Sequence, residues 1–176
     1  QVAEVVRAVI NRGADVIKVG ASERAGLART DPRRQELSYD ELRAAVAEAA
    51  KNGLYVAAHA HDRQGANAAV RAGVRSIEHG TYVDDETLAL MRKEGTFFVP
   101  TLAIMSPLGD PRGDAADDIA LQLRTLHMMR PLRDAVRKAR ALGVTVAVGT
   151  DSSYGDRDDY GRVRVGHEIL ELIGCG

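Results

Sequence analysis

The stretch Tyr55-Val56-Ala57-Ala58-His59-Ala60-His61 is a short apolar run that ends in two histidines. The helical segment that follows, residues 66–72, stops at Gly73, and a second apolar run over residues 74–79 also ends in a histidine. A buried strand, a helix and another buried strand in succession are typical of a parallel sheet covered by helices. This part of the sequence therefore predicts an α/β fold.

The same alternation extends over most of the chain. Apolar, β-branched runs predict strands, and amphipathic or capped segments predict helices. The predicted strands are residues 16–20, 55–61, 74–79, 97–102 and 144–151. The predicted helices are residues 2–12, 38–52, 66–72, 84–94, 115–142 with a break near Pro131, and 167–173. Residues 21–37 and 106–114 are predicted to be loops.

Length and charge limit the classes of protein to which the chain can belong. It has 176 residues and a net charge of -1, from 24 Lys and Arg against 25 Asp and Glu. We therefore expect one domain over residues 1–176 and no nucleic-acid partner. The longest apolar runs fall well short of the ~20 residues that span a bilayer, so no membrane partner is expected. The single cysteine, Cys175, excludes an intrachain disulfide and a Cys-rich zinc site. These features predict a soluble protein, cytoplasmic rather than secreted.

Polar side chains stand where the predicted strands end, namely Lys18, His59, His79 and Asp151. In parallel α/β folds the carboxyl ends of the strands meet at one edge, and ligands bind there. His59 and His61 are two residues apart in a strand, so they point to the same face. Imidazole nitrogens are good ligands for divalent metals. Together these residues predict a metal site at this edge of the sheet.

Each residue also has a structural explanation. The histidines could be hydrogen-bonded polar groups, and Asp151 could cap the next helix. Lys18 lies in an apolar run, and burying its ammonium group is costly unless the group is paired or modified. It could form a salt bridge, or it could lose its proton and be carboxylated by carbon dioxide, which gives an anionic carbamate able to bridge two metal ions.

The chain resembles the amidohydrolase superfamily of metal-dependent hydrolases. Within it, the chain is similar to the branch of prolidase-like Xaa-Pro dipeptidases and imidazolonepropionase-related enzymes. The segments that carry the resemblance follow one another in the family's order. They are residues 13–19 (GADVIKV), 56–61 (VAAHAH), 72–81 (AGVRSIEHGT), 98–102 (FVPTL), 143–144 (GV) and 149–151 (GTD).

This resemblance implies a (β/α)8 barrel of the TIM type, of which only strands 4–8 and their helices are present. Strand 4 would carry Lys18, strand 5 His59, strand 6 His79, strand 7 would lie near Val99, and strand 8 would end at Asp151. The family's strand 1 ends in a His-x-His pair, and no such pair precedes Lys18. Strands 1–3 and any flanking β-sandwich domain have no counterpart, and a complete barrel takes ~250 residues. We therefore expect the C-terminal portion of a larger enzyme, completed by a remaining barrel segment or within a homo-oligomer.

The resemblance also implies roles for the residues at the strand ends. Lys18 would be the carboxylated ligand that bridges two ions, and His59 and His79 would bind one of them. Asp151 would contact the other ion and act as the catalytic general base. The expected cofactor is a divalent metal, zinc first, with two ions in the intact site, although manganese and cobalt accept the same ligands.

The expected substrate is a small molecule or dipeptide, with His61, Tyr82 and Arg63 as its contacts. Many members of this branch cleave dipeptides or N-acyl amino acids. The first expectation is therefore hydrolysis of an amide bond, in dipeptides with C-terminal proline or related N-acyl amino acids, by a metal-activated water. Hydrolysis of cyclic amides, ureas or carbamates is the alternative within the superfamily. A further alternative is a catalytically incomplete barrel fragment that binds a metal or a partner.

Overall fold

The fold, taken from a computed structural model, is described for residues 1–27, 29–109, 112, 117–151 and 165–176. The strands are β1 (Ile17–Gly20), β2 (Val56–Ala60), β3 (Ser76–His79) and β4 (Phe97–Val99). The helices are α1 (Val2–Ile10), α2 (Tyr39–Ala50), α3 (Arg63–Ala72), α4 (Asp85–Glu94), α5 (Leu102–Gly109), α6 (Ile119–Ala141) and α7 (Val165–Gly174).

The four strands form one parallel sheet in the order β1-β2-β3-β4. In its register Gly20 lies opposite His59, and Ala60 lies opposite His79, so the polar ends of neighbouring strands meet at the same edge. A parallel sheet whose strands are joined by helices is the α/β architecture that the sequence predicts. That prediction is confirmed.

The predicted fifth strand is present only as one isolated parallel bridge, between Phe98 and Val146. The N–H of Phe98 donates to the carbonyl of Thr145 at 2.9 Å, and the N–H of Ala147 donates to the carbonyl of Phe98 at 2.8 Å. β4 is three residues long and is followed by Pro100, which has no N–H to donate. Because the ladder cannot extend past Phe98, the expectation of a full strand over residues 144–151 was wrong in extent.

Side-chain caps decide where several helices begin. The hydroxyl of Ser38 accepts from the N–H of Glu41, whose carboxylate accepts from the N–H of Ser38, so the predicted capping box is formed at the start of α2. Asp62 caps α3 by accepting from the N–H of Gly65 at 2.7 Å. This cap places the start of α3 at Arg63, three residues earlier than the sequence pattern predicts.

Two other predictions about helices were wrong. α6 is continuous through Pro131, where a break was expected. Met128 and Leu132 flank the proline and are buried in the core, so packing outweighs the backbone hydrogen bond that proline removes. α5 occupies residues that were predicted to end a strand and begin a loop.

The core lies between the sheet and the helices that cover it. Leu42, Ile77, Leu88 and Phe98 are fully buried there, and alanines on α2 and α3 let these helices approach the sheet closely. Within the described residues, no helix combines the length and the apolar character needed to cross a bilayer. The packing leaves the carboxyl ends of the strands open on one side, and the polar residues lie there.

Candidate metal centre

Three histidines lie together at the carboxyl edge of the sheet. His59 is in β2, His61 follows it by two residues, and His79 ends the neighbouring strand β3. Their ring centroids are 4.7 Å (His59–His61), 4.5 Å (His59–His79) and 4.7 Å (His61–His79) apart. Each offers one nitrogen, and these three atoms lie within 4.8 Å of one another. Two parallel strands and a period of two therefore produce a cluster of three imidazoles.

All three imidazoles are neutral near neutral pH. Burial lowers the pKa of His59 to about 4, and the nearby charge of Lys18 lowers it further. Burial, followed by repulsion from His59, lowers the pKa of His61 to about 3. Burial, with repulsion from the other two histidines, also holds the pKa of His79 well below its ordinary value. A neutral imidazole keeps a lone pair on one nitrogen, which is the form that binds a metal ion.

Each ring uses one nitrogen in a hydrogen bond, and the other nitrogen is left for the cavity. Nδ1 of His61 lies 2.9 Å from Oγ1 of Thr81. Nδ1 of His79 lies 2.7 Å from Oγ1 of Thr101. Nε2 of His59 lies 3.3 Å from the carbonyl oxygen of Glu23, which can only accept. His59 therefore carries its proton on Nε2 and keeps its lone pair on Nδ1.

The imidazoles border a cavity of about 870 Å³, and Lys18 and Asp151 line the same cavity. The convergence that the sequence predicts for Lys18, His59, His79 and Asp151 is thus seen in the structure, and His61 joins them. Asp151 has a backbone φ of 52°, an unusual value for a residue other than glycine. Its negative charge opposes that of Lys18 by raising the pKa of His59.

The surroundings of Lys18 differ from the expectation. The sequence predicts a lysine buried in an apolar strand, but the Lys18 side chain is exposed where it lines the cavity. β1 is at the edge of the sheet in the described residues, so a neighbouring strand lies on only one side of it. Burial therefore does not force Lys18 to be paired or modified, although Lys18 still lies beside the cavity.

Two predicted substrate contacts lie elsewhere. Arg63 is the first residue of α3, and its Nε lies 3.6 Å from Oδ2 of Asp84, which caps α4. Its side chain is directed along the helix ends and does not line the cavity. Tyr82 is half-buried and packs against the hydrophobic core, and burial raises the pKa of its phenol. Neither residue lines the cavity, although the backbone N–H of Tyr82 donates to the carbonyl of His61 at 2.8 Å.

Sequence reasoning missed several residues of the site. Thr81 and Thr101 bond to the histidines, Ser22 accepts from the N–H of His61 at 2.8 Å, and Arg24 and Glu36 line the cavity. The two threonines had a usable signal, because each stands two residues beyond the end of the strand next to its histidine. Arg24 had none, because it lies in a polar loop without a pattern.

The residues present fit a divalent metal ion. Three nitrogen ligands of one zinc ion, each at ~2.0–2.1 Å, are about 3.4 Å from one another in tetrahedral geometry. The nitrogens that the three histidines offer lie within 4.8 Å of one another, which is close enough for two of them to bind one ion. Neutral imidazoles, each oriented by a hydrogen bond on its other nitrogen, are the usual protein ligands of such an ion.

Comparison with known proteins places this geometry in context. The model of the amidohydrolase family matches residues 1–171. The ochratoxinase of Aspergillus niger is 35% identical over 159 residues, which is 88% of this chain and 32% of that protein. Its crystal structure superposes with a TM-score of 0.84, at 31% identity, over 99% of this chain and 38% of that one.

Two other solved structures are similar over nearly the whole chain. An Xaa-Pro dipeptidase with bound methionine in its active site has a TM-score of 0.83 and 28% identity, over 99% of this chain and 42% of that one. A prolidase complexed with N-methylphosphonate-L-proline has a TM-score of 0.79 and 30% identity, over 99% of this chain and 44% of that one. The chain therefore spans about a third of the curated relative, ochratoxinase, and under half of each solved structure.

Proposed function

Because this chain belongs to the amidohydrolase family, we propose that it forms part of a metal-dependent hydrolase that cleaves amide bonds. The observation that carries the proposal is the cluster of His59, His61 and His79 on a cavity shared with Lys18 and Asp151. Since the chain covers 32% of the length of ochratoxinase, the proposal extends to a complete (β/α)8 barrel in which β1–β4 would be strands 4–7 and the segment that bridges to β4 at Val146 would be strand 8.

Four residues would hold the metal in this proposal. His59 and His79 would bind one divalent ion, zinc first, and Asp151 would bind a second. Lys18 would bridge the two as a carbamate: its ammonium group would first lose one proton, and the neutral Nζ would then form a bond to the carbon of carbon dioxide and release a second proton. As an ammonium group Lys18 repels a cation, whereas the carbamate is an anion, so this modification reverses the sign of the interaction. An ion bound here supplies Lewis acidity, which makes water a stronger acid and the scissile carbonyl a better electrophile.

Asp151 and His61 would then carry out the steps that belong to the chain itself. The carboxylate of Asp151 would accept a proton from the attacking water and pass it to the leaving amine, as a general base and then a general acid. His61 is neutral and lies 4.7 Å, between ring centroids, from His59. It would donate or accept one hydrogen bond to orient the substrate beside the reacting centre.

The substrate class follows from charge around the cavity and from the relatives. We propose dipeptides with a C-terminal proline, or N-acyl amino acids, both of which carry a free carboxylate. Arg24 lines the cavity and lies close enough for its charge to lower the pKa of His59, after burial and Lys18. Its guanidinium can bind a carboxylate through two hydrogen bonds. Arg24 is therefore a better candidate for this contact than Arg63, which already pairs with Asp84.

The proposal is tested by metal content and hydrolysis in the intact protein. We expect elemental analysis to find divalent metal, a chelator to abolish hydrolysis of Xaa-Pro dipeptides or N-acyl amino acids, and added zinc to restore it. His79→Asn should lose metal and activity. His127→Asn is the matched control, because His127 is exposed on α6 away from the cavity and should change neither.

Two further measurements separate the alternatives. Arg24→Met should raise KM for substrates with a free carboxylate and leave KM for their C-terminal amides unchanged. If the protein hydrolyses cyclic amides, ureas or carbamates but cleaves neither dipeptides nor N-acyl amino acids, those compounds are its substrates. The proposed substrate class would then be wrong, and the proposal of a metal-dependent hydrolase would stand. An intact protein that holds no metal and hydrolyses none of these compounds would overturn the proposal in favour of a non-catalytic barrel.

A further inference from the structure

Three residues other than glycine adopt a positive φ within the described part of the chain. They are His79 at 71°, Thr101 at 55° and Asp151 at 52°. L-residues adopt this conformation at a cost in free energy, and it persists where the surrounding structure requires it. His79 and Asp151 line the cavity, and Thr101 bonds to His79. The strained backbone is thus concentrated at the ends of consecutive segments of the sheet, around the imidazole cluster.

A hydrogen bond between two buried side chains joins Thr101 to His79. Oγ1 of Thr101 lies 2.7 Å from Nδ1 of His79, and the two residues are 3% and 7% exposed. We infer that Thr101 is a positioning residue, which accepts the Nδ1–H of His79 and so keeps the Nε2 lone pair of that ring directed toward the cavity. This inference rests on the proposed function, since Nε2 would be the atom that binds the metal.

The same pairing of a buried histidine with a buried threonine occurs one strand earlier in the sheet. Thr81, 1% exposed, lies 2.9 Å from Nδ1 of His61, which is 3% exposed. In both pairs the histidine is held by a threonine that follows the next strand along the sheet, β3 for His61 and β4 for His79. A hydroxyl is a neutral group that can accept from a neutral imidazole without adding charge to the cluster.

The backbone at Thr101 is itself held in place from a distant part of the chain. Thr101 immediately precedes α5, and the N–H of Ala103 donates to Oε2 of Glu168 at 2.6 Å. Glu168 is fully buried on α7. This contact anchors the first turn of α5 and with it the position of the Thr101 hydroxyl, which explains how a β-branched residue is maintained at a positive φ.

The inference is tested by two substitutions with different chemistry and similar shape. Thr101→Val keeps the β-branched side chain and removes the hydroxyl, whereas Thr101→Ser keeps the hydroxyl. In the intact protein, zinc affinity is measured by competition with a chromogenic chelator. We expect Thr101→Val to weaken zinc binding by roughly 10- to 100-fold, the range for loss of a hydrogen bond behind a ligand. Thr101→Ser should stay close to the wild type.

A matched control separates loss of the hydrogen bond from general damage to β4. Thr96 is 3% exposed and immediately precedes β4, at the opposite end of that strand from the cavity. Thr96→Val should leave zinc affinity unchanged. Urea denaturation of each variant establishes that the protein compared is folded.

A second readout tests the tautomer without metal or activity. Long-range proton–nitrogen NMR correlations on histidine-labelled, metal-free protein should show the proton of His79 on Nδ1 in the wild type and in Thr101→Ser. A proton on Nε2 of His79 would overturn the inference, and so would equal zinc affinity in the wild type and Thr101→Val, or equal losses in the Val and Ser variants. A wild-type protein that binds no divalent metal and shows no hydrolysis would overturn the proposed function, while the tautomer measurement still decides the role of Thr101.

Discussion

The carboxylate of Glu168 joins the last helix to the segment that follows β4. Its Oε2 accepts a hydrogen bond of 2.6 Å from the backbone N–H of Ala103, 65 residues earlier in the chain. Glu168 is fully buried, and its Oε1 has no hydrogen-bond partner among the described residues. This hydrogen bond connects α7 to the first turn of α5. Thr101 immediately precedes α5 and bonds to His79, so the connection continues to the imidazole cluster.

This contact predicts an unusual dependence of stability on pH. Burial raises the pKa of Glu168, and repulsion from Glu171 adds to the effect, while hydrogen bonds from Ala103 and Leu102 and the charge of His167 oppose it. The folded protein therefore holds the proton of the Glu168 carboxyl more tightly than the unfolded chain does. The contribution of this protonated carboxyl to the free energy of unfolding is complete below the pKa that Glu168 has in the unfolded chain, and it is lost as pH rises through the pKa of Glu168 in the folded protein. Glu168→Gln removes the titration, so the free energy of unfolding of the wild type should fall relative to that of the variant as pH rises.

Urea denaturation of both proteins from about pH 4 to about pH 8 measures this difference. Glu171→Gln is the control, because the pKa of Glu171 is shifted in the opposite direction to that of Glu168. Burial acts to raise the pKa of Glu171, but hydrogen bonds from Ser106 and Arg133 outweigh it and the pKa is lowered. A difference between wild type and Glu168→Gln that does not change with pH would contradict the assignment.

Gly80 is required by both its backbone and its neighbour. Its φ is 60°, and a Cβ placed on it would lie 2.4 Å from Cε2 of Phe98, which is fully buried. Gly80→Ala should therefore destabilise the protein by about 1–3 kcal/mol through overpacking, in addition to the cost of the positive φ. Because Gly80 follows His79, the substitution should also weaken metal binding.

Gly95→Ala is the matched control for this substitution. Gly95 has a similar φ of 70°, but nothing lies within 4 Å of an added Cβ. The difference in the free energy of unfolding between the two variants, measured in urea, isolates the contact with Phe98. Equal destabilisation by both substitutions would show that the ring moves aside without penalty.

Glu48 makes the packing of α1 on α2 sensitive to acid. The side chain is 4% exposed, and hydrogen bonds from Arg7 and Lys51 lower its pKa to about 2. Its contribution to stability is therefore present above the unfolded pKa near 4.5 and is lost as pH falls through about 2. Glu48→Gln should remove this part of the acid dependence in urea denaturation.

The partner substitution tests whether Arg7 is responsible. Nε of Arg7 lies 2.8 Å from Oε1 of Glu48. Arg7→Met alone should reduce the acid dependence, and in the Glu48→Gln background it should have little further effect. Additive effects of the two substitutions would mean that the residues act independently.

Asp151→Asn separates catalysis from metal binding. The amide cannot accept the proton that the proposed general base must take, so kcat should fall by about 100- to 10,000-fold. His59 and His79 are unchanged in this variant, so elemental analysis should still find at least one metal ion per chain. Asp40→Asn, in the first turn of α2, is the control and should leave kcat unchanged. A rate equal to that of the wild type would exclude Asp151 as the base.

The sequence by itself determined the parallel α/β architecture and the set of residues at the strand ends. Both follow from local information, since apolar runs, glycine stops and the period of two along a strand act over a few residues. The positions of Lys18, His59, His79 and Asp151 on one cavity could be predicted because parallel strands present their carboxyl ends at a single edge.

Only the tertiary structure decided what surrounds those residues. The threonine partners of His61 and His79, the exposure of Lys18, the distance of Arg63 from the cavity and the continuity of α6 through Pro131 depend on contacts between segments far apart in the chain. Such contacts leave no periodic signal, because the free energy that selects them comes from packing and hydrogen bonding across the fold rather than from local conformational preference.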